Sequence, residues 1–246
     1  MVKSFITVMV FTIFISRLIL AQSIDTSGRK STINIWGGYS TVGMSKVNSD
    51  LSTTAGQAGK VKKVKNGFAV AGEYLYETAP RIVIGPRIEY IGANQGEASN
   101  TSVGIKQDYY LIDLLIGGRY YLLDRMNSCN ITCGAFVGMG IGYGKTKVPA
   151  PATTTSYKGS GFSGDFILGG EYILSSMISI GLDLGYRLAN IPKMSTGSSG
   201  SGSGGNGGGG FYSTNIKKTT VTNASGGTIN YDFSGLIANL GINFKL

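Results

Sequence analysis

Asn239-Leu240-Gly241-Ile242-Asn243-Phe244-Lys245-Leu246 alternates small or polar residues with apolar ones, and the alternation runs back unbroken to Gly235. Leu236, Ala238, Leu240, Ile242, Phe244 and Leu246 fall on one side; Gly235, Ile237, Asn239, Gly241, Asn243 and Lys245 fall on the other. Successive side chains of a β-strand point to opposite faces, so this is a strand with one apolar and one largely polar face. Whether lipid or a protein core covers the apolar face depends on how the rest of the chain is patterned.

The same alternation recurs seven more times. Strands are expected at Ile33–Thr41, Gly67–Tyr76, Arg81–Ile91, Asp108–Leu122, Ile131–Tyr143, Phe162–Leu174 and Ile178–Leu188. In the last of these, Ile178, Ile180, Leu182, Leu184, Tyr186 and Leu188 oppose Ser179, Gly181, Asp183, Gly185 and Arg187. The connections alternate. Those around Pro80, Asp124–Ser128 and Ser175–Met177 are short, whereas 44–66, Gly92–Lys106, 145–159 and Ala189–Asn230 read as long polar loops. In an up-and-down barrel the short turns collect at one rim and the long loops at the other. Outer-membrane barrels have this asymmetry, with even strand counts and strands of about ten residues spanning an apolar band of roughly 25 Å.

Composition agrees. Of 246 residues, 39 are glycine, 14 tyrosine and 10 phenylalanine, and only 14% are charged, below the globular norm of about 25%. Residues 1–22 carry Lys3 and an apolar run from Phe5 to Leu20, a secretory signal with cleavage expected near Ala21 or Ser23. The mature segment 23–246 holds no further run of roughly 20 apolar residues, so contact with a membrane must be made by strands. The net charge of +9 is not concentrated on a helix or in one interleaved patch, so nucleic acid is not an expected partner.

The polar face of the strands carries Glu73, Arg87, Glu89, Asp113, Arg119, Asp165, Glu171, Asp183, Arg187 and Lys245. Six are acidic and four basic, which suits a neutralised luminal network. The same residues on the outside of a soluble, lipocalin-like barrel would be accompanied by lysine and threonine; here glycine accompanies them. Tyrosines such as Tyr74, Tyr76, Tyr90, Tyr110, Tyr120, Tyr143, Tyr172 and Tyr186 gather near strand ends on the apolar face, as an interfacial girdle would.

On these strands and on the terminal segment with Asn239, Gly241, Phe244 and Leu246, the chain resembles the small eight-stranded outer-membrane proteins of the OmpA/OmpX-like group. The terminal strand resembles their assembly signal, with Leu246 where bacterial versions usually end in an aromatic residue. The resemblance implies an all-β, eight-stranded antiparallel transmembrane barrel, integral to the outer membrane of a Gram-negative cell. It also implies outer-membrane lipid and the barrel-assembly machinery as partners, a monomeric state and an extracellular ligand of unknown identity. On the outer rim, Gly59–Lys65, Lys145, Lys147 and Lys158 would meet lipopolysaccharide phosphates.

Other motifs carry less. Gly142-Tyr-Gly-Lys-Thr146 resembles the tail of a phosphate loop, but Met139 occupies the required glycine position and prolines replace the helix. The glycine ladder Gly134, Gly138, Gly140 and Gly142 instead relieves crowding inside a narrow barrel. Cys129 and Cys133 are a candidate disulfide only if Ser128–Thr132 turns, because four residues of extended strand separate Cα atoms by about 13 Å. Histidine is absent, so no metal site, cofactor or histidine-dependent catalysis is expected. The function expected is non-enzymatic, structural or surface-interacting, with a narrow passive channel or a soluble binding barrel as the alternatives.

Overall fold

The computed structural model describes residues 31–56, 59–99, 104–123, 129–148, 153–175, 177–196, 219–220 and 230–246. The signal expected at 1–22 and nearly all of the Gly/Ser run at 195–210 lie outside the described residues.

Eight long antiparallel strands form one closed sheet. They are β1 (Ser31–Thr41), β2 (Asn66–Ala79), β3 (Ile82–Ser99), β4 (Gly104–Tyr121), β5 (Cys129–Val148), β6 (Thr153–Ile173), β7 (Ile178–Ile191) and β8 (Gly235–Lys245). Each pairs with its neighbour in sequence, and β8 also pairs with β1, which shuts the ring. Following hydrogen-bonded partners from Gly235 leads through Arg187, Asp165, Phe136 and Gly117 to Gly85. The register flanking Gly85 sets it opposite Leu75, which leads through Thr32 back to Lys245, ten residues from the start. Eight strands with that stagger, a rise of about 3.3 Å and a spacing of about 4.8 Å, tilt by about 41° around a radius of about 8 Å. Side chains can fill such an interior.

Burial is inside out relative to a water-soluble protein. Outward Ile116 and Leu240 are 62% and 69% exposed, while inward Arg87 and Arg187 are 0% exposed. That removes the lipocalin-like alternative, whose apolar face would line the interior. From Tyr110 to Tyr120, ten residues of β4 climb about 25 Å along the barrel axis at this tilt, the height of the apolar band of a membrane barrel. Phe68, Tyr90, Tyr110 and Tyr143 line up at the upper edge, with successive ring centroids 5.7, 6.2 and 4.9 Å apart.

The upper half departs from the sequence reading. Within Gly92–Lys106 and 145–159, the described residues are strand and not loop: β3 to β6 continue, paired as far as Ser99 with Gly104 and Val148 with Thr153, well above the aromatic row. Outside the bilayer neither face need be apolar, so the alternation disappears while backbone pairing continues. Likewise, 44–66 is not wholly loop. It holds a helix, α1 (Ser45–Ala55), and a short strand, Lys60–Lys62, that adds to the edge of β3. Within Ala189–Asn230, β7 runs on to Ile191, and Ser195–Thr196 pairs with both β6 and Thr219–Thr220. The candidate disulfide is corrected too: Cys129 and Cys133 are free, exposed thiols on one outward face of β5, which runs extended through both.

Candidate functional site: a sealed lumen under a tall outer rim

The strand period turns every second residue inward, so the lumen is decided by eight stripes of side chains. Its middle is ionic. Arg119 reaches Glu73 at 2.7 Å and Asp183 at 2.6 Å. Arg87 also pairs with Glu73, and reaches Asp165 at 3.3 Å and Glu89 at 3.5 Å. Arg187 meets Glu89 at 2.7 Å, Asp165 at 3.5 Å and Asp113 at 3.7 Å, and donates to Ser40 Oγ at 2.9 Å. Asn34 Nδ2 donates to Glu73 at 2.9 Å. Thus eight of the ten ionisable residues read from the sequence meet in one buried network. Glu171 and Lys245 stand apart at the inner rim as their own pair, 3.5 Å apart. Buried charges are tolerated only when paired, and the three arginines bridge five carboxylates contributed by β2, β3, β4, β6 and β7.

Aromatic rings fill the space between these charges. The Arg119 guanidinium lies 4.9 Å from the Trp36 ring centroid, and Arg87 lies 5.6 Å from that of Phe136. The luminal glycines answer these bulky groups. A Cβ at Gly181 or Gly241 would overlap the Trp36 ring, one at Gly140 would press on Asp113, and one at Gly144 would strike Tyr231. The glycine ladder therefore makes room that other side chains occupy. In the terminal segment expected to be an assembly signal, Asn239 is buried inward, Gly241 lies against Trp36, Phe244 faces outward, and the Leu246 amide donates to Ser31 O at 2.8 Å. A cavity of about 10 Å³ between Asn34, Trp36, Arg119 and Asp183 has the volume of roughly one water molecule.

Above the ionic layer the lumen turns apolar. Helix α1 buries Val47, Leu51 and Ala55, an i, i+4, i+8 stripe, on a cluster containing Met44, Val64, Ile91, Leu111, Ile191, Met194 and Phe233. The Asn48 amide ties the helix to the next segment, donating to Val64 O at 2.8 Å and accepting from Val64 N at 2.7 Å. Tyr109 and Tyr231 meet edge-on with centroids 4.9 Å apart. The stripe at 47, 51 and 55 was the available signal for this plug. It is short and set among Ser and Thr, which favour loops.

Outside, the extended hairpins carry lysines on outward positions. Lys106 and Lys147 are cross-strand partners, Lys145 pairs with Asp108, and Lys158 lies 5.3 Å from the ring of its partner Tyr143. Lys147 Nζ donates to Asp108 at 3.1 Å, and Gln95 donates to the same carboxyl at 2.7 Å. Partial burial alone would raise the Asp108 pKa. The hydrogen bonds from Gln95 and Lys147 and the charges of Lys147 and Lys145 hold it below the ordinary carboxylate value.

No protein-family model matches the chain, and no curated protein sequence matches it. Solved structures do. A major outer membrane protein from Thermus thermophilus superposes with a TM-score of 0.50 over 89% of this chain and 99% of that one, at 9% identity. The chain has the fold of an outer-membrane β-barrel. The outer membrane protein OprG from Pseudomonas aeruginosa is also similar, with a TM-score of 0.40, 14% identity, and 88% and 96% of the two chains covered. Ail, the attachment invasion locus protein of Yersinia pestis, gives a TM-score of 0.41 at 15% identity, covering 88% of this chain and 98% of that one. At such identities only the fold carries over to this barrel.

Proposed function

We propose that this barrel is a non-enzymatic, non-conducting protein of the outer membrane whose role is carried by its outer, cell-surface end. The observation that carries the reading is the doubly blocked lumen: an arginine–carboxylate layer at mid-height and an apolar plug anchored by α1 above it. A channel for polar solutes needs a continuous wetted path, and the plug is lined by Met44, Leu51, Ile191 and Phe233, each at most 2% exposed. The carboxylates are sealed beneath that plug and held by arginines, out of reach of a substrate at the cell surface. The material left for partners is the rim itself, which β3 to β6 lift above the aromatic row.

The test is electrical. Purified protein in a planar bilayer should show no stable conductance step, and neither should a Leu51→Ser variant that loosens the plug, because the ionic layer remains. A reproducible step of porin size from the unmodified protein would refute the reading.

A further inference from the structure

The outer-leaflet face of this barrel is electrostatically lopsided. Lys106, Lys145, Lys147 and Lys158 stand on consecutive strands β4, β5 and β6, and Lys60 and Lys62 extend the row on the short strand paired to β3. The acids among them are Glu97, the cross-strand partner of Lys62 and Lys106, and Asp108, so six cations face two anions. The outward faces of β1, β7 and β8 end instead on Thr41, Asn190 and Leu236.

Height decides what this patch can meet. Two residues of tilted strand climb about 5 Å, which sets Lys145 about 5 Å and Lys147 about 10 Å above Tyr143, and Lys106 about 10 Å above Tyr110. Tyrosine rings of a membrane barrel lie at headgroup level, so the lysines begin where lipid phosphates begin. Their side chains leave the barrel wall sideways, in the plane of the leaflet, and not upward toward a soluble partner. A Lys above a tyrosine girdle also has its aliphatic stem against apolar surface and its ammonium free to reach an anion.

We propose that the outward lysines of β4 to β6 form a one-sided site for the phosphates of outer-leaflet lipid A, fixing the barrel's orientation among its neighbours in the leaflet. The site needs the barrel to be in the outer membrane but is independent of whether the lumen conducts, so the bilayer recording and the binding experiment fail separately. The chain has no histidine, and Asp108, the anion within the row, titrates below the ordinary carboxylate range.

The full chain, folded in zwitterionic micelles and verified by its heat-dependent gel mobility, is titrated with bisphosphorylated lipid A. The same lipid after dephosphorylation, and heparin, are titrated in parallel, with bound species counted by native mass spectrometry. Each lysine near an anionic surface is worth about five-fold in affinity. With Lys147 shared by Asp108, a Lys145→Gln/Lys147→Gln/Lys158→Gln variant should therefore bind lipid A roughly 25- to 100-fold more weakly. A control with the same change in net charge on the exposed face of α1, Ser45→Glu/Ser49→Glu/Thr53→Glu, should change less than about three-fold, by screening alone. Replacing the three patch lysines by Arg should restore binding. Equal losses in patch and control variants would overturn the site. So would binding that survives dephosphorylation of the lipid, or a patch-dependent preference for heparin over lipid A.

Discussion

Arg119 offers the sharpest test of the luminal network. Its guanidinium bridges Glu73 at 2.7 Å and Asp183 at 2.6 Å, and it stacks on Trp36 at 4.9 Å. Glu73 has further partners in Arg87 and Asn34, whereas Arg119 is the cation that reaches Asp183. Replacing Arg119 by Met keeps much of the volume and the contact with Trp36 but strands one carboxylate and half-strands another. Removing one member of a buried ion pair typically costs about 3–5 kcal/mol, because the remaining charge keeps its desolvation penalty without its compensation. Arg119→Met should therefore lower the urea midpoint of the barrel in lipid vesicles by an amount equivalent to about 3–5 kcal/mol. Adding Asp183→Asn should recover a large part of that loss, since the side chain that lost its cation no longer carries charge. A double-mutant cycle separates this coupling from simple loss of packing. A neutral Arg119→Met, or an Asp183→Asn that adds its own penalty instead of relieving one, would refute the coupling of Arg119 to Asp183.

Leu182 faces outward on β7 and is 46% exposed among lipid-facing residues, so Leu182→Arg should destabilise the inserted barrel by roughly 2–4 kcal/mol in the same urea titration. At Gly241 a methyl group would overlap the Trp36 ring and the Ile35 carbonyl. Gly241→Ala should cost about 1–3 kcal/mol from overpacking, and Trp36→Leu in the same chain should relieve it.

The membrane-level barrel was legible because lipid imposes a pattern. Every second residue from Ile178 to Leu188 must be apolar, and the residues between them must be small or paired, so the strand, its facing and its luminal charges could all be read from one period. The ionic partners themselves were not legible. That Arg119 meets Asp183, 64 positions away, depends on a ring stagger set by strand pairing and not by local sequence. Above the bilayer that discipline lapses. Residues 154–160 pair fully with β5, yet their Thr and Lys side chains give no apolar alternation, so the segment reads as loop. The helix at 45–55 shows only three apolar residues, enough to pack on a plug that itself comes from distant strands. The cysteine pair turned on whether one short segment bent, and the pairing of Cys129 with Tyr172 and Cys133 with Leu168 keeps it straight.

The two layers of the lumen differ in kind because they are surrounded differently. At membrane height the wall faces hydrocarbon, so the outward positions must be apolar, while the inward ones mix glycine and paired charge with a few apolar residues such as Leu75, Leu115 and Ile167. Closure there depends on pairing, together with Trp36 and a buried cluster around Phe136 that includes Leu75, Leu115, Ile167 and Ile237. Above the aromatic row the wall faces water and headgroups, the outward positions turn to Lys, Ser and Thr, and the apolar residues are free to point in. Ile91, Leu111 and Ile191 do so from girdle height upward on β3, β4 and β7, where they are joined by α1 and by Phe233. The loss of apolar residues from the outward face, from Tyr110 to Asp108 and Lys106 along β4, therefore marks where the bilayer ends. In β4 the lowest residue of the plug cluster is Leu111 and the outward tyrosine beside it is Tyr110, so the base of the plug lies level with the girdle. The lysines at Lys106, Lys145 and Lys147 lie above that point, where an ammonium group meets phosphate and not hydrocarbon.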